Sequence, residues 1–491
     1  MKVMRNRIIR LIALLAIGAA ASPVWAAPED ATADAVIGQS DFSTNGINQG
    51  GAGAGSLNGN RGLFVDSSGR LWVADSGNNR VLSWPSAAGF ASGDNADIVL
   101  GQATFTDVDS NRGNNAPDAT TLFDPRSVAV DADGRVYVAD SGNKRVLRYD
   151  PPITNGMQAV QVFGQNGDFT KNDQANAMNA NAFNMGNPDG IALDAQGNLY
   201  LADRFLHRVV VYLDPVNTDE QADTVLGQVD LTKAQRNQDD NNPVPGANTL
   251  NNPIGVGVDS DGNVYVADEG NNRVLRFEPP LTDNMNATRV YGQADFSGGN
   301  ANDPDVSASS MNGPVYVAID PVTGNLYVAD AINNRILEFE TPETNSVADR
   351  VLGQDGDFTT KLANKGGVSA NSLQDVGGVA TDADGNLYAG DRLNNRVLRY
   401  EIAESNDNGN NNNNNNNNND NDNGNGNGNG NANNNANDNN DGPGAEAPLC
   451  GVCGDGAMMF APMMFAGLAA VRRSTRRRCG RSSRSSHAAA R

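Results

Sequence analysis

The chain has 491 residues and carries 36 Lys and Arg against 58 Asp and Glu, which gives a formal net charge of −22 at pH 7. An acidic surface repels phosphate backbones, so nucleic acid is not an expected partner. The three Cys all follow residue 449 and the chain has only two His, so it offers little for a disulfide framework or a multi-histidine zinc site.

Residues 1–26 have the layout of a secretory signal peptide. The basic start MKVMRNRIIR is followed by the apolar stretch LIALLAIGAAA and by Val24-Trp25-Ala26, a small-residue cleavage pattern. The alternative is an uncleaved anchor helix, for which the apolar stretch is short. We therefore expect an exported protein.

One sequence motif, which we call the phrase, occurs six times between residues 34 and 401. An Asp-Gly turn precedes a short apolar run ending in Ala-Asp or Gly-Asp, which is followed by a polar tetrapeptide, an Arg and a second apolar run. Successive copies are 61 to 65 residues apart. Short Val-, Leu- and Tyr-rich runs bounded by Gly and Asn predict strands, and the near-constant spacing predicts a repeat architecture.

A fourth strand is expected to precede each Gly-Gln pair, from VIGQ at Val36 to VLGQ at Val351. Four antiparallel strands in each of six units predict an all-β fold, a six-bladed β-propeller. The first Gly-Gln precedes the first phrase and none follows the sixth. The strand near Val36–Gln39 should therefore pair with the strand near Arg396–Tyr400 and close the ring, which removes an open edge.

The pattern Gly-Asn-Leu-Tyr-Val-Ala-Asp followed by Asn-Asn-Arg and an apolar run resembles the NHL repeat family over residues 34–401. The resemblance implies a six-bladed propeller. NHL-like propellers include RNA binders with a basic face and a histidine-ligated zinc lyase, and related six-bladed folds include calcium lactonases. This chain departs from the family in having longer repeats, with the extra length after each Gly-Gln, as in Ala103–Pro125 and Val229–Pro253.

Each phrase places an Asp at the end of its second strand and an Arg at the start of its third. We interpret these pairs as structural clamps in which guanidinium and carboxylate satisfy each other, and a ring of charges at the channel mouth is the alternative. Six copies of one pair do not supply the different groups that catalysis needs. The pairs are Asp75/Arg80, Asp140/Arg145, Asp203/Arg208, Asp268/Arg273, Asp330/Arg335 and Asp391/Arg396.

Asp-x-Asp-Gly turns at Asp131, Asp259 and Asp382 raise the alternative of bound calcium, because carboxylate oxygens are its usual ligands. The chain has no EF-hand-like loop with a distal Glu, and Asp is common in such turns for conformational reasons. We therefore expect no cofactor, with calcium as the alternative.

Positions at which the six copies differ are the candidates for ligand binding. The third copy replaces the usual turn with Arg204-Phe205-Leu206-His207, the sixth has Arg392-Leu393, and charged residues stand before several first strands. The predicted ligand-binding residues are Arg204, Phe205, His207, Arg392, Arg126, Asp189 and Arg61, with a pocket formed by Arg204, His207, Arg126 and Asp189. Sequence drift in exposed turns is the alternative.

The turn between the second and third strands and the long segment after each Gly-Gln should share one face of the propeller. Long loops on a rigid scaffold commonly carry recognition. Their Asn, Asp, Ser and Gly suit a protein or glycan partner. We therefore predict a monomeric, non-catalytic binding scaffold. The alternative is a channel-mouth enzyme, either a calcium-dependent lactonase or hydrolase or a lyase, although His207 is the only His among the repeats.

Residues 406–447 are nearly all Asn, Asp and Gly and predict a disordered, flexible tether. Residues 448–491 combine Cys450-Gly-Val-Cys453 with an apolar stretch and an Arg cluster, and this order resembles bacterial C-terminal sorting signals of the PEP-CTERM and MYXO-CTERM kind. The resemblance implies a sorting protease and processing at the two cysteines. Basic residues after the apolar stretch fit a cytoplasmic end, so we expect tethering to the membrane of the cell envelope, at the cell surface.

Overall fold

The computed structural model describes residues 31–218 and 220–401. These residues form six antiparallel sheets of four strands each, so the prediction of an all-β, six-bladed propeller is confirmed. The expected signal peptide (1–26), tether (406–447) and sorting segment (448–491) lie outside the described residues. Within the described part, no helix is long and apolar enough to cross a membrane.

The strands are numbered β1 to β24 in chain order, and blade 1 begins with β2. Blade 1 contains β2 (Leu63–Val65), β3 (Leu71–Asp75), β4 (Arg80–Trp84) and β5 (Ile98–Leu100). Blade 2 contains β6 (Pro125–Val130), β7 (Val136–Asp140), β8 (Arg145–Tyr149) and β9 (Gln161–Phe163). Blade 3 contains β10 (Pro188–Leu193), β11 (Leu199–Asp203), β12 (Arg208–Tyr212) and β13 (Thr224–Leu226).

The second half of the ring repeats this order. Blade 4 contains β14 (Pro253–Val258), β15 (Val264–Asp268), β16 (Arg273–Phe277) and β17 (Arg289–Tyr291). Blade 5 contains β18 (Pro314–Ile319), β19 (Leu326–Asp330), β20 (Arg335–Phe339) and β21 (Arg350–Leu352). Blade 6 contains β22 (Val376–Thr381), β23 (Leu387–Asp391), β24 (Arg396–Tyr400) and, from the start of the described chain, β1 (Ala35–Ile37).

The ring closes as predicted. Strand β1 runs antiparallel to β24, with Ala35 opposite Arg399 and Ile37 opposite Val397. The fourth strand of blade 6 therefore comes from the other end of the propeller sequence. This pairing completes blade 6 and closes the ring at the junction of blades 6 and 1, which we call the seam.

A short 3-10 turn joins the second and third strands of every blade. The residue after it is left-handed in all six blades, with φ between 50° and 58°. Asn tolerates this conformation better than most residues, and it occupies four of the six positions. The 3-10 turns are Ser76–Asn78, Ser141–Asn143, Arg204–Leu206, Glu269–Asn271, Ala331–Asn333 and Arg392–Asn394; two more, Ser110–Gly113 and Arg236–Gln238, lie in the segments between blades.

Apolar clusters fill the spaces between neighbouring blades. Tyr265 and Tyr291 of blade 4, for example, pack with Leu337 and Phe339 of blade 5. The rings of Tyr291 and Phe339 meet edge-on, with their centroids 5.3 Å apart. Because alternate strand residues point to opposite faces of a sheet, each blade contributes to the core on both of its sides. The result is a rigid ring that carries the turns and the connecting segments.

Candidate functional site

The repeated Asp and Arg form buried ion pairs. In blade 1, Asp75 Oδ2 lies 2.7 Å from Arg80 Nε, and both side chains are fully buried. In blades 2, 4, 5 and 6 the corresponding distance is 2.7–2.8 Å. In blade 3, Arg208 Nε lies 3.6 Å from Asp203.

Each of these arginines also holds the chain segments between blades, which we call the insertions. Arg80 Nη2 donates to the carbonyl oxygens of Gly53 and Ser56, at 3.0 and 2.8 Å, and Nη1 donates to that of Phe105. Gly53 and Ser56 belong to the insertion before blade 1, and Phe105 belongs to the one after it. Because a buried guanidinium needs acceptors for its N–H groups, one clamp anchors two successive insertions.

The Gln of each Gly-Gln pair supports the same insertions. Gln102 Nε2 donates to Asn79 O in the turn of blade 1 and to Asp109 O in the insertion, at 3.0 and 2.8 Å. Equivalent bonds are made by Gln39, Gln165, Gln228, Gln293 and Gln354. The insertions and the turns between second and third strands thus form one ordered surface, which we call the loop face.

In five blades, an amide pair joins the turn to an insertion. Asn143 and Asn111 exchange side-chain hydrogen bonds of 2.8 and 3.1 Å. The other pairs are Asn78–Asn48, Asn271–Asn237, Asn333–Asn302 and Asn394–Asn364. Blade 3 has Leu206 instead, which packs in an apolar cluster with alanines of its insertions, among them Ala175 and Ala234.

His207 occupies the left-handed position that is Asn in four other blades. Its Nδ1 accepts a hydrogen bond from the backbone N–H of Asn252 at 3.0 Å, across the junction to blade 4. Asn79 Oδ1 accepts the corresponding N–H, that of Asp124, at 3.0 Å. Burial lowers the pKa of His207 to about 4, so the imidazole is neutral at pH 7, as an acceptor at Nδ1 must be.

Lys144 occupies the same position in blade 2, and a protonated lysine side chain cannot accept a hydrogen bond. The backbone N–H of Asn187 bonds instead to Asp203 Oδ1 at 2.9 Å. Within the described residues, Arg208 Nε has no hydrogen-bond partner. The lysine in the turn of blade 2 thus stands next to the long Asp203–Arg208 distance of blade 3.

A shallow depression of about 430 Å³ lies at this junction of blades 1 to 3. Phe123, Asp124, Arg126 and Lys144 contribute to its wall. Burial and the neighbouring charge of Arg126 lower the pKa of Lys144. The depression contains Arg126 of the predicted pocket, whereas Arg204, His207 and Asp189 are not part of its wall.

The central channel is crossed by a side chain that the sequence analysis missed. Tyr316 stands where the other blades have small residues, namely Gly62, Ser127, Gly190, Gly255 and Gly378. A Cβ on Gly378 would lie 2.5 Å from Arg61 O, so these inner strands touch through their backbones. The Tyr316 hydroxyl reaches across from blade 5, donates to Arg126 O at 2.7 Å and lies 3.4 Å from Asp189 Oδ1.

Arg126 and Asp189 form an ion pair beside this tyrosine. Arg126 Nη1 lies 2.7 Å from Asp189 Oδ2, and the Asp189 side chain is fully buried. Burial alone would lower the pKa of Arg126, but the carboxylates of Asp189 and Asp124 outweigh burial and raise it. Burial raises the pKa of the Tyr316 hydroxyl well above its usual value, so the phenol remains a donor. The polar groups at the channel thus satisfy each other.

The other candidates lie in separate contacts. Arg204 pairs with Glu269 of blade 4 at 3.4 Å, and Arg392 pairs with Asp375 of its own blade. Arg61 is half-buried, and its charge acts on the Tyr316 hydroxyl. Of the predicted pocket residues, the structure brings together Arg126 and Asp189, while Arg204 and His207 make contacts with blade 4.

Phe205 differs from the other residues of its turn because its large apolar side chain is mostly exposed. It is 59% exposed, and Ile332 and Leu393, at the same turn position in blades 5 and 6, are 57% and 47% exposed. Blades 1, 2 and 4 have Gly there; a Cβ on Gly270 would lie 2.6 Å from Asn251 O. Three large apolar side chains are therefore exposed on the loop face, one in each of blades 3, 5 and 6. Ile332 was not among the predicted residues.

In each Asp-x-Asp-Gly turn, the first Asp carboxylate accepts hydrogen bonds from backbone N–H groups of the same turn. Asp131 Oδ1 accepts hydrogen bonds from the backbone N–H groups of Asp133 and Arg135, at 3.0 and 2.9 Å. Asp259 and Asp382 make the same bonds in their turns. Among the residues that the structure describes, no three His, Cys, Asp or Glu side chains come together as metal ligands could.

One family model agrees with this architecture. The family model of the NHL repeat matches residues 124–149 and 250–277, which span the first three strands of blades 2 and 4. Similar solved structures include a streptogramin B lyase (13% identity, 70% of this chain and 93% of that chain, TM-score 0.38). They also include a catalytically inactive virginiamycin B lyase from Staphylococcus aureus crystallised with quinupristin (12%, 70% and 94%, 0.38).

A structural genomics protein of unknown function from Bacteroides thetaiotaomicron is also similar, with 15% identity over 74% of this chain and 75% of that chain and a TM-score of 0.44. At such identities a likeness concerns the fold and says nothing about activity. The six sheets and the two matched segments support one conclusion: the described chain is a six-bladed β-propeller in which blades 2 and 4 match the NHL repeat.

Proposed function

We propose that this protein is a non-catalytic binding scaffold that recognises a protein or glycan ligand through the loop face. The observation that carries the proposal is the set of exposed apolar side chains at one turn position, Phe205, Ile332 and Leu393. All three occupy the same turn position on one face of the propeller, and aromatic residues such as Phe205 are frequent anchors in interaction surfaces.

The fold does not require these side chains. At the same position, Gly77, Gly142 and Gly270 pack tightly against the chain before the first strand of their blades. The other unusual residues of the blade 3 turn have structural contacts: Leu206 is buried, His207 accepts a backbone hydrogen bond, and Arg204 is paired. Phe205 is the exception for which binding provides an explanation.

The channel gives less support to a catalytic alternative. A calcium-dependent hydrolase or a lyase would need polar groups free to bind an ion or a substrate. Asp189 is instead committed to Arg126 and Tyr316, and His207 Nδ1 is committed to Asn252 N. We therefore propose binding without catalysis and without a cofactor, by a monomer.

The proposal extends to location. The sequence of residues 1–26 supports export, and the compositions of 406–447 and 448–491 support a tether and a sorting segment. We propose that a sorting protease acts near Cys450 and Cys453, leaving the propeller attached to the envelope membrane with its loop face available to a partner.

The proposal is tested with a photo-crosslinking amino acid placed at Phe205 of the full chain in cells that normally make it. We expect a discrete adduct, because the side chain at this position is exposed on the proposed binding face. Gln196 is the matched control, since it is also exposed but lies in the turn between first and second strands, on the opposite face. Equal labelling from both positions, or none from Phe205, would contradict the proposal.

A further inference from the structure

In blade 2, an arginine from the insertion lies between two chain segments next to the fourth strands of blades 1 and 2, and we call the space between these segments the groove. Arg112 Nε donates to Gly101 O at 3.3 Å, and Nη2 donates to Gly156 O at 3.1 Å. Gly101 follows the fourth strand of blade 1, and Gly156 lies in the loop before the fourth strand of blade 2. The guanidinium thus binds between two backbone carbonyls.

In blade 4 a glutamine fills the equivalent groove. Gln238 Nε2 donates to Asn248 O at 2.7 Å and to Asn284 Oδ1 at 2.9 Å. It also lies 3.4 Å from Gly227 O, the counterpart of Gly101 O. In both blades, a side chain of the insertion donates its N–H groups to the oxygen acceptors of the groove.

At the seam, Gln49 occupies this position and is part of the groove wall, but its side chain bonds to Ser40 N and not to the carbonyls that Arg112 and Gln238 reach. Gln49 follows Asn48 as Arg112 follows Asn111, and both asparagines have left-handed backbones that donate to equivalent leucine carbonyls. Arg112 is itself left-handed, with φ of 52°, whereas Gln49 is not; the next two residues, Gly50 and Gly51, have φ of 81° and 105°. The Gln49 side chain lies along the groove wall, where its Oε1 accepts a hydrogen bond from Ser40 N at 3.3 Å.

An open groove of about 580 Å³ remains at the seam. Its wall includes Gly38 and Gly93, the counterparts of Gly101 and Gly156, and Gly55, the counterpart of Asn248. A Cβ on Gly156 would lie 3.3 Å from Arg112 Nη2, whereas the nearest atom to a Cβ on Gly93 is 3.9 Å away. The seam groove therefore has the same backbone wall without the side chain that occupies it in blade 2.

The wall of the groove is uncharged and offers polar backbone and side-chain groups, backbone carbonyl oxygens among them. Gly, Ser, Gln, Asn and Ala form it, and no residue in it is charged or aromatic. A chain with a formal net charge of −22 attracts cations to such a surface. A guanidinium has five N–H donors in a planar fork, which matches carbonyls arranged around a groove.

We propose that the seam groove binds the guanidinium of an arginine side chain on the partner. The proposal rests on the proposed function, because the arginine belongs to a bound protein segment. It narrows that function by selecting a protein partner with an exposed arginine. Arg112 provides the internal precedent, since it enters the corresponding groove of the same molecule and bonds there to carbonyls alone.

The test is a titration of the full chain, labelled with ¹⁵N-glycine, with the peptide acetyl-Gly-Arg-Gly-amide, followed by NMR. We expect saturable shifts at the amides of Gly50, Gly51 and Gly93. The same peptide with citrulline is neutral and nearly isosteric, and it should bind at least about tenfold more weakly because the charge-assisted bonds are lost. Equal binding of the two peptides, or no shift at these glycines, would overturn the proposal.

Two variants locate the site. Gly55→Gln should reduce affinity at least about tenfold, because its added Cβ meets only the end of the Asn95 side chain and its amide can fill the groove as Gln238 does. Gly46→Gln, in the same insertion but outside the groove wall, should leave affinity unchanged. Arg112→Ala should open the blade 2 groove and add a second binding site. Unchanged arginine affinity in Gly55→Gln, with the thermal midpoint retained, would contradict the assignment.

The outcomes separate this proposal from the proposed function. If the arginine peptide does not bind but the Phe205 adduct still forms, the seam groove is wrong and the scaffold remains. If the peptide binds but Phe205 gives no adduct, the binding face has been misplaced and the groove remains.

Discussion

At His207, an imidazole nitrogen accepts the backbone hydrogen bond that an asparagine oxygen accepts in four other blades. Lys144 cannot accept this bond, and the neighbouring clamp of blade 3 is longer. Single positions in the turns therefore control how neighbouring blades join. In the unusual turn of blade 3, Leu206 packs against the insertions and His207 accepts the backbone hydrogen bond at the junction to blade 4. Phe205, in contrast, faces solvent.

We predict that acid destabilises the propeller partly through His207. Its pKa falls from 6.5 to about 4 on folding because burial disfavours the charged form. Between these values the unfolded chain binds more protons, so the stability that His207 contributes is present above pH 6.5 and is lost as the pH falls towards 4. The expected loss is on the order of 2–3 kcal/mol.

The matched variant is His207→Asn, which keeps an acceptor that tolerates the left-handed backbone but does not titrate. Urea unfolding at pH 7 and pH 4 should show a smaller loss of unfolding free energy for the variant than for the natural chain. Equal losses would show that His207 is not held in its neutral form.

At the scale of elements, the clamp joins hairpin, turn and insertions into one unit. The sequence identified the Asp and Arg partners because both carry a repeated side-chain signature. It did not reveal that the arginines also bind insertion carbonyls, since backbone acceptors such as Gly53 O and Phe105 O leave no signature in residue type. The insertions are consequently better ordered than their Asn- and Gly-rich composition indicates.

We predict that Arg273→Gln lowers the free energy of unfolding by about 3–5 kcal/mol, because it leaves the buried Asp268 carboxylate without its cation. It should also make the insertions around Gly246 and Phe296 more sensitive to proteolysis, since Arg273 donates to both of their carbonyls. Urea denaturation and limited proteolysis measure the two effects.

Arg236→Gln is the control for this clamp variant, because Arg236 and Asp240 form a half-exposed pair at 3.8 Å. Exposed pairs contribute about 0–1 kcal/mol, so this variant should unfold nearly as the natural chain does. Similar losses in the two variants would mean that the clamps contribute no more than surface charges.

At the scale of the whole molecule, the six described blades close into a ring whose channel is crossed by Tyr316. The blade count, the strand positions and the β1–β24 closure followed from the sequence because apolar periodicity and repeat phase determine them. Tyr316 was visible as an exception in a series of small residues, but only the closed ring shows that it reaches Arg126 and Asp189 on the opposite side. The seam groove was likewise hidden, since it depends on the backbone conformation at Gln49.

The central claim is that binding occurs on the loop face and that the channel group is structural. The most direct test is the yield of the Phe205 photo-adduct in a chain that also carries Tyr316→Phe. The phenylalanine side chain still crosses the channel. Losing the hydroxyl donor should therefore lower the unfolding free energy by only about 1–2 kcal/mol. We predict an adduct yield within about twofold of the natural chain, as expected for distant, independent sites. Loss of the adduct with the fold retained would contradict the account, because function would then depend on the Tyr316 hydroxyl in the channel.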